Sequence, residues 1–186
     1  MYSAAKAKLT TREKISGAKM ELMMYNDFLF FSLLASRLEV VEEPACKTAA
    51  TDGKRIYYSP DFIEKLNIHQ ICFVICHELL HCAFEHFLRV ETRDKQMWNI
   101  AADYAINTLI QDYFQKNSAF SNSKFLPDGV LLDKKYDKMS AEEIYDELMK
   151  NPEKFKGMTS LDQHIYGKAG GQDDGSGTGV SEEDLK

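Results

Sequence analysis

Three residues with reactive side chains lie close together in an apolar stretch, "FVICHELLHCAFEH" (residues 73–86). His77 and His81 are four residues apart, so on a helix their imidazoles share one face, one turn apart, where both can bind one Zn²⁺. Glu78 is too close in sequence to His77 to complete the same chelate easily. It can instead face a zinc-bound water and act as a base. The H-E-x-x-H pattern therefore predicts a zinc site with a proton acceptor beside it.

The apolar surroundings strengthen this prediction. Of the 14 residues from Ile71 to Phe84, all but His77, Glu78 and His81 are apolar or cysteine. A helix that is apolar on every side is buried, and burying an ionisable group without a partner costs several kcal/mol. The alternative is two structural histidines and a surface glutamate. That alternative is disfavoured because a surface glutamate belongs on a polar face.

A catalytic zinc site uses three protein ligands and one open position. In "WNIAADYAIN", Asn99, Asp103 and Asn107 recur every four residues on an otherwise apolar helix. A helical hairpin would bring Asp103 back to the two histidines, which makes it the predicted third ligand; the alternative is a solvated face. Asn99 and Asn107 fit either groups that support the ligands or residues with a structural role.

Three other residues are weaker candidates for this site. His86 follows His81 by five residues, about 140° around a continuous helix, so we exclude it as a ligand and expect it to be exposed near the helix end. Glu85 is expected to be a neighbour of the ligands. His164 is either an oxyanion donor, an alternative ligand or an ordinary histidine.

The remaining sequence predicts a mainly helical α+β domain with a small β-hairpin. The hairpin is expected at residues 45–58, where Asp52-Gly53 is a strong turn signal. Pro60 is expected to begin a short helix. Capping signals are expected at Thr10 or Thr11, at Asn67 with Gln70, and at Ser140 with Glu143. The predicted longer helices are 11–40, 68–90, 94–115 and one ending near residue 149, with a loop at 118–138.

The bulk composition limits the classes of function. The 186 residues carry a net charge of −6 and no basic stripe, which argues against nucleic-acid binding. No apolar run is long enough for a membrane span, and the N-terminus lacks an export signal, so we expect a cytoplasmic protein. The four cysteines fit buried free thiols. We expect one folded domain over residues 1–166 and a Gly-rich acidic flexible linker or tail over 167–186.

Several segments in series resemble one known family. "TDGKRIYYSPDFI", "CHELLHCAFEHFLR", "WNIAADYAIN" and "LPDGVLLDKKYDKMSAEEIYDEL" are similar to the zincin-like metallopeptidase domain found N-terminal to von Willebrand A-like domains in bacterial and phage proteins. The resemblance covers about residues 20–166. It implies a minimal zincin fold, with His77 and His81 as ligands and Glu78 as the catalytic acid and base, and it supports Asp103 as a further ligand. It also implies a C-terminal von Willebrand A-like domain and a MoxR-type ATPase as partners.

The expected function is that of a zinc metallopeptidase that hydrolyses peptide bonds, with Glu78 activating a zinc-bound water. The strand at Arg55–Tyr58 is expected to pair with an extended peptide or protein substrate. An alternative is a catalytically silent zinc-binding interaction module in a larger assembly. A protease that acts on DNA-bound proteins is a third reading, which the acidic charge disfavours.

Overall fold

The computed structural model describes residues 9–158, which form seven α-helices and three β-strands. The helices are α1 (Thr11–Met23), α2 (Leu29–Arg37), α3 (Pro60–Lys65), α4 (Ile68–Ala83), α5 (Lys95–Lys116), α6 (Ser118–Ser121) and α7 (Ala141–Met149). The strands are β1 (Glu39–Glu42), β2 (Ala49–Thr51) and β3 (Arg55–Tyr58). This architecture confirms the predicted α+β class, mainly helical with a small sheet.

The predicted hairpin is confirmed as β2 and β3, which pair antiparallel. Gly53 adopts a φ of 83° in the turn, a left-handed conformation that glycine adopts without steric cost. The Asp52 carboxylate accepts hydrogen bonds from the backbone N–H groups of Lys54 and Arg55. Asp52 and Gly53, from which the turn was predicted, therefore also stabilise it.

The sheet has a third strand that the sequence did not predict. β1 pairs parallel with β3, which gives the order β1-β3-β2. β3 is therefore central and both of its edges are already paired, so the expectation that Arg55–Tyr58 pairs with substrate is wrong. The predicted helix over residues 11–40 is also wrong in extent, because a 3-10 turn at Asn26–Phe28 divides it and it ends at Arg37. The β-branched pair Val40 and Val41 then favours a strand.

Side-chain caps fix the starts of three helices. Thr10 with Glu13, Asn67 with Gln70, and Ser140 with Glu143 each form both hydrogen bonds of a capping box. Each box satisfies backbone N–H groups that have no partner within the helix. These boxes, and Pro60 at the start of α3, confirm the predicted helix starts.

Helix α4 lies at the centre of the fold. Every residue from Gln70 to His81 is buried, and the helix contacts α1, α2, α5 and β2. From α5, a stripe of apolar side chains at four-residue spacing joins the same core: Ile106, Ile110 and Phe114. Asp103 lies one turn before Ile106 on α5, so the packing that builds the core also fixes the position of its carboxylate.

The two helices around the predicted site differ in how well their bounds were predicted. α5 agrees with the predicted 94–115 to within one residue. α4 ends at Ala83 and not near residue 90, because Glu85 adopts a left-handed conformation with a φ of 52°, and a left-handed residue ends a helix. The chain then runs as irregular turns through residues 84–94, and this segment is called the α4–α5 connection below.

The predicted loop is only partly confirmed, and the predicted tail is not tested. The predicted loop at 118–138 contains α6 and a 3-10 turn at Lys134–Tyr136. The predicted tail at 167–186 and His164 lie outside the described residues, so the division into a domain and a tail stays a prediction.

Candidate metal centre

Three side chains from two helices converge at one buried point. One ligand atom from each of His77, His81 and Asp103 lies within 4.8 Å of the other two. The two Nε2 atoms of the histidines are 3.1 Å apart. Asp103 Oδ1 lies 3.7 Å from Nε2 of His77 and 3.3 Å from Nε2 of His81. The structure therefore brings together the three residues that the sequence predicted as ligands.

Asn107 holds the ring of His77 from its other nitrogen. Asn107 Oδ1 lies 2.8 Å from His77 Nδ1, and Asn107 Nδ2 donates to the backbone carbonyl of Leu131 at 3.1 Å. Because that carbonyl can only accept, the amide nitrogen must face it and the amide oxygen must face the imidazole. His77 therefore carries its proton on Nδ1 and presents the lone pair of Nε2 to the common point.

His86 contacts the ring of His81 at the nitrogen that faces away from the common point. The Nδ1 atoms of the two imidazoles are 3.0 Å apart; with His81 as the donor of this hydrogen bond, its proton is on Nδ1 and the lone pair of Nε2 faces His77 and Asp103. His86 is only 2% exposed, which makes the expectation that it lies exposed near a helix end wrong. The physical reason is that α4 stops at Ala83 and the α4–α5 connection folds back. The Trp98 indole N–H donates to the carbonyl of His86 at 2.8 Å and fixes the turn.

Glu78 lies fully buried beside this group. Neither of its carboxylate oxygens has a hydrogen-bond partner among the described residues, an arrangement that is costly for a charged carboxylate. Burial and the charge of Asp103 raise the pKa of Glu78 well above its usual value. Glu78 and His77 line a small cavity in which the volume open to the centre of a water molecule is about 10 Å³, which is room for about one water.

Burial keeps the imidazoles of His77 and His86 neutral at physiological pH. Burial lowers the pKa of His77 to about 4, against an opposing effect of the hydrogen bond to Asn107. Burial, with the nearby charge of Arg89, lowers the pKa of His86 to about 3. Neutral imidazole is the form that binds a metal, so His77 needs no deprotonation step before it can act as a ligand.

The donor set fits a divalent cation. Two imidazole nitrogens and one carboxylate oxygen form the kind of three-ligand set that catalytic zinc sites use, and imidazole also suits other transition metals. The Asp103 carboxylate and the Nε2 lone pairs of the two histidines repel each other in the absence of a cation. A cation bound between them would attract all three and would offset the cost of burying the carboxylate. The group can therefore bind metal, and its chemistry does not by itself identify which metal.

Of the other candidate residues, Glu85 is exposed and is not part of the group of ligand atoms, and Asn99 is half-buried. His69, two turns before His77 on α4, is half-buried; its ring lies 4.8 Å from that of Phe120 at an angle of 51°, and its Nε2 lies 3.7 Å from a carboxylate oxygen of Glu21. Sequence reasoning missed the contact of His86 with His81 and the role of the Leu131 carbonyl, because both depend on how irregular segments fold back.

No helix among residues 9–158 is long and apolar enough to span a membrane.

Comparisons with known proteins agree with this site. One relative is an uncharacterised protein of Thermotoga maritima, 24% identical over 106 residues, which are 54% of this chain and 26% of the relative. The chain thus spans about a quarter of the length of that relative. No solved structure matches the chain. The family described as "Putative metallopeptidase domain" matches residues 11–185, nearly the whole chain, and the protein therefore belongs to this family.

Proposed function

We propose that this domain is a zinc-dependent peptidase in which His77, His81 and Asp103 hold the metal and Glu78 is the catalytic base. The observation that carries the proposal is the orientation of the two imidazoles. Each has its Nδ1 against a buried partner and its Nε2 toward Asp103. This convergence of three ligand atoms occurs beside the buried carboxylate of Glu78, which has no hydrogen-bond partner among residues 9–158.

Zinc bound there would polarise the scissile carbonyl and acidify a bound water. Glu78 supplies the proton transfers: it accepts a proton from the attacking water and returns it to the leaving amine. The raised pKa of Glu78, caused by burial and the charge of Asp103, means that its carboxylate binds a proton more readily than an exposed glutamate does. Asn107 and His86 keep the ligating rings in place during both steps.

Glu78→Gln tests the assigned base, because an amide of the same size cannot accept the proton. We expect this variant to keep its zinc, measured by elemental analysis, and to lose hydrolysis of a peptide library by a factor of about 10² to 10⁴. Glu85→Gln is the matched control, since Glu85 is exposed and outside the site. Turnover retained in Glu78→Gln would refute the proposed role of Glu78.

Burial of the site supports a second candidate, a metal-binding interaction module without catalysis. His77, Glu78, His81 and Asp103 are each at most 2% exposed, and the cavity beside Glu78 holds about one water. A small hydroxamate, which needs an open position on the metal, separates the two candidates. Binding of acetohydroxamate to the zinc-loaded protein supports the peptidase, whereas a saturated site that rejects it supports the interaction module.

The proposal extends to the setting in which the domain acts. The substrate would be a peptide or protein in the cytoplasm. The von Willebrand A-like domain and MoxR-type ATPase that the resemblance implies would be its partners. Co-purification of the full natural protein with such an ATPase tests this part.

A further inference from the structure

Helix α2 is apolar on two opposite faces, and only one of them is covered by the described residues. Its inner face packs Phe31 and Ala35 into the core. On the other side Leu29 is 58% exposed, Phe30 54% and Leu33 58%; these three residues are called the α2 outer face. A surface helix normally has polar residues on its solvent side, so this face is built for contact with another surface.

The exposed apolar surface extends beyond α2. Tyr113 of α5 is half-exposed and its ring lies 5.9 Å from that of Phe31, which in turn lies 5.5 Å from Phe30. Leu109 precedes Tyr113 by one turn, and the end of α1 that leads into α2 carries three exposed methionines: Met20, Met23 and Met24. Summed over these eight side chains, the exposed area is on the order of 1,000 Å².

We propose that the α2 outer face is the contact between two copies of this chain, which pair through antiparallel α2 helices about a twofold axis. A standard interface buries about 800 Å² on each partner, so the contact would have to include the exposed side chains of α1 and α5 named above as well as the α2 outer face. A twofold contact brings the same patch of each copy together, and a patch of Leu, Phe and Met is complementary to itself.

Charges at the two ends of α2 favour the antiparallel arrangement. Asp27 lies in the 3-10 turn before the helix, where its Oδ2 accepts a hydrogen bond from Asn117 Nδ2 at 3.0 Å, and Arg37 is in the last turn of α2; both residues are exposed. Antiparallel pairing places Asp27 of one copy near Arg37 of the other, and it also brings the positive end of one helix dipole near the negative end of the other. A lipid surface is a poorer occupant, because membrane-bound helices need a basic polar face and the chain carries a net charge of −6.

The oligomeric state of the full chain tests the proposal. Light scattering over the micromolar range is expected to give twice the monomer mass of 21.3 kDa. Leu33→Glu is expected to raise the dissociation constant of the dimer at least a hundredfold, and at concentrations where both proteins are monomeric its melting temperature should equal that of wild type. Leu88→Glu is the control, since Leu88 is 64% exposed in the α4–α5 connection. A wild-type monomer throughout, or a Leu33→Glu dimer as tight as wild type, would overturn the proposal.

A charge exchange tests the orientation. Arg37→Glu places two acidic groups together at each end of the paired helices and is expected to weaken the dimer several-fold. Adding Asp27→Lys to the same chain restores opposite charges and is expected to restore the dimer, with melting curves monitored for both variants. Failure of the second change to restore association would overturn the antiparallel pairing.

Discussion

Helix α4 and the α2 outer face depart from ordinary amphipathic design in opposite ways. α4 buries two histidines and a glutamate where apolar side chains would stabilise the core without a desolvation cost. α2 exposes leucine and phenylalanine where polar side chains would interact with water at no cost. Both departures lie within the same fold, and the inner face of α2 packs into the core that surrounds α4.

The difference between the two helices shows which departures from amphipathic design can be interpreted from the sequence alone. Polar residues inside α4 follow a spacing that has a chemical meaning, so the pattern indicates both a site and a mechanism. Apolar residues on the outside of α2 indicate a contact without identifying its partner. Buried polarity therefore points to chemistry, and exposed apolarity points to association.

The largest effect is expected from removing a ligand. His77→Ala should weaken zinc binding by a thousandfold or more, because two side chains cannot hold the ion as three do. Competition with a chromogenic chelator measures the change. His69→Ala, two turns earlier on the same helix, is the control and should leave affinity unchanged. Equal affinities in wild type and His77→Ala would contradict the proposed site.

Acid should destabilise the metal-free protein through its neutral buried histidines. His77 and His86 have pKa values lowered to about 4 and about 3, whereas an unfolded histidine titrates near 6.5. Between pH 6.5 and about 4 the unfolded state binds more protons, so stability is lost as the pH falls, by up to about 1.4 kcal/mol per pH unit for each histidine.

Glu78 opposes this trend, because its raised pKa makes the folded state hold a proton that the unfolded state releases above pH 4.5. The experiment is therefore done on Glu78→Gln without metal, by urea unfolding between pH 6.5 and 5. Adding His77→Gln should reduce the mean slope over this range by about 1 kcal/mol per pH unit, since the unfolded histidine is only half protonated at pH 6.5. An unchanged slope would show that His77 is not held neutral in the fold.

A smaller effect is expected from the residue that orients His77. Asn107→Leu should weaken zinc binding about 10- to 100-fold, because supporting hydrogen bonds to a ligand contribute on that scale. Asn107→Asp keeps an acceptor for His77 Nδ1 and should recover much of the affinity, although it no longer donates to the carbonyl of Leu131. Equal loss in both variants, despite a normal melting temperature, would assign Asn107 a role other than orienting the ring.

Parts of this account could be predicted from the sequence because they depend on local spacing. The pairing of His77 with His81 needs only one helical turn, and the capping boxes need only four residues. Asp103 could be predicted as a ligand because its helix is regular. The role of His86 could not be predicted, since a continuous helix would place it elsewhere and the left-handed Glu85 is not evident from residue type. The strand β1 depends on a pairing with β3 across 16 residues of sequence.

The smallest effect is expected on the α2 outer face. Under conditions where the protein is monomeric, Phe30→Lys should change the free energy of unfolding by no more than about 0.5 kcal/mol, since surface substitutions rarely do more. Phe73→Ala, in the buried part of α4, should cost about 3–5 kcal/mol. Chemical denaturation measures both, and similar costs at the two positions would remove the contrast between the helices.

Diffraction from zinc-loaded crystals at the zinc absorption edge tests the central claim most directly. We predict one anomalous peak per chain, about 2.0–2.2 Å from Nε2 of His77, Nε2 of His81 and a carboxylate oxygen of Asp103. A protein that crystallises fully folded with no peak among these three atoms, or with zinc bound elsewhere, would contradict the account.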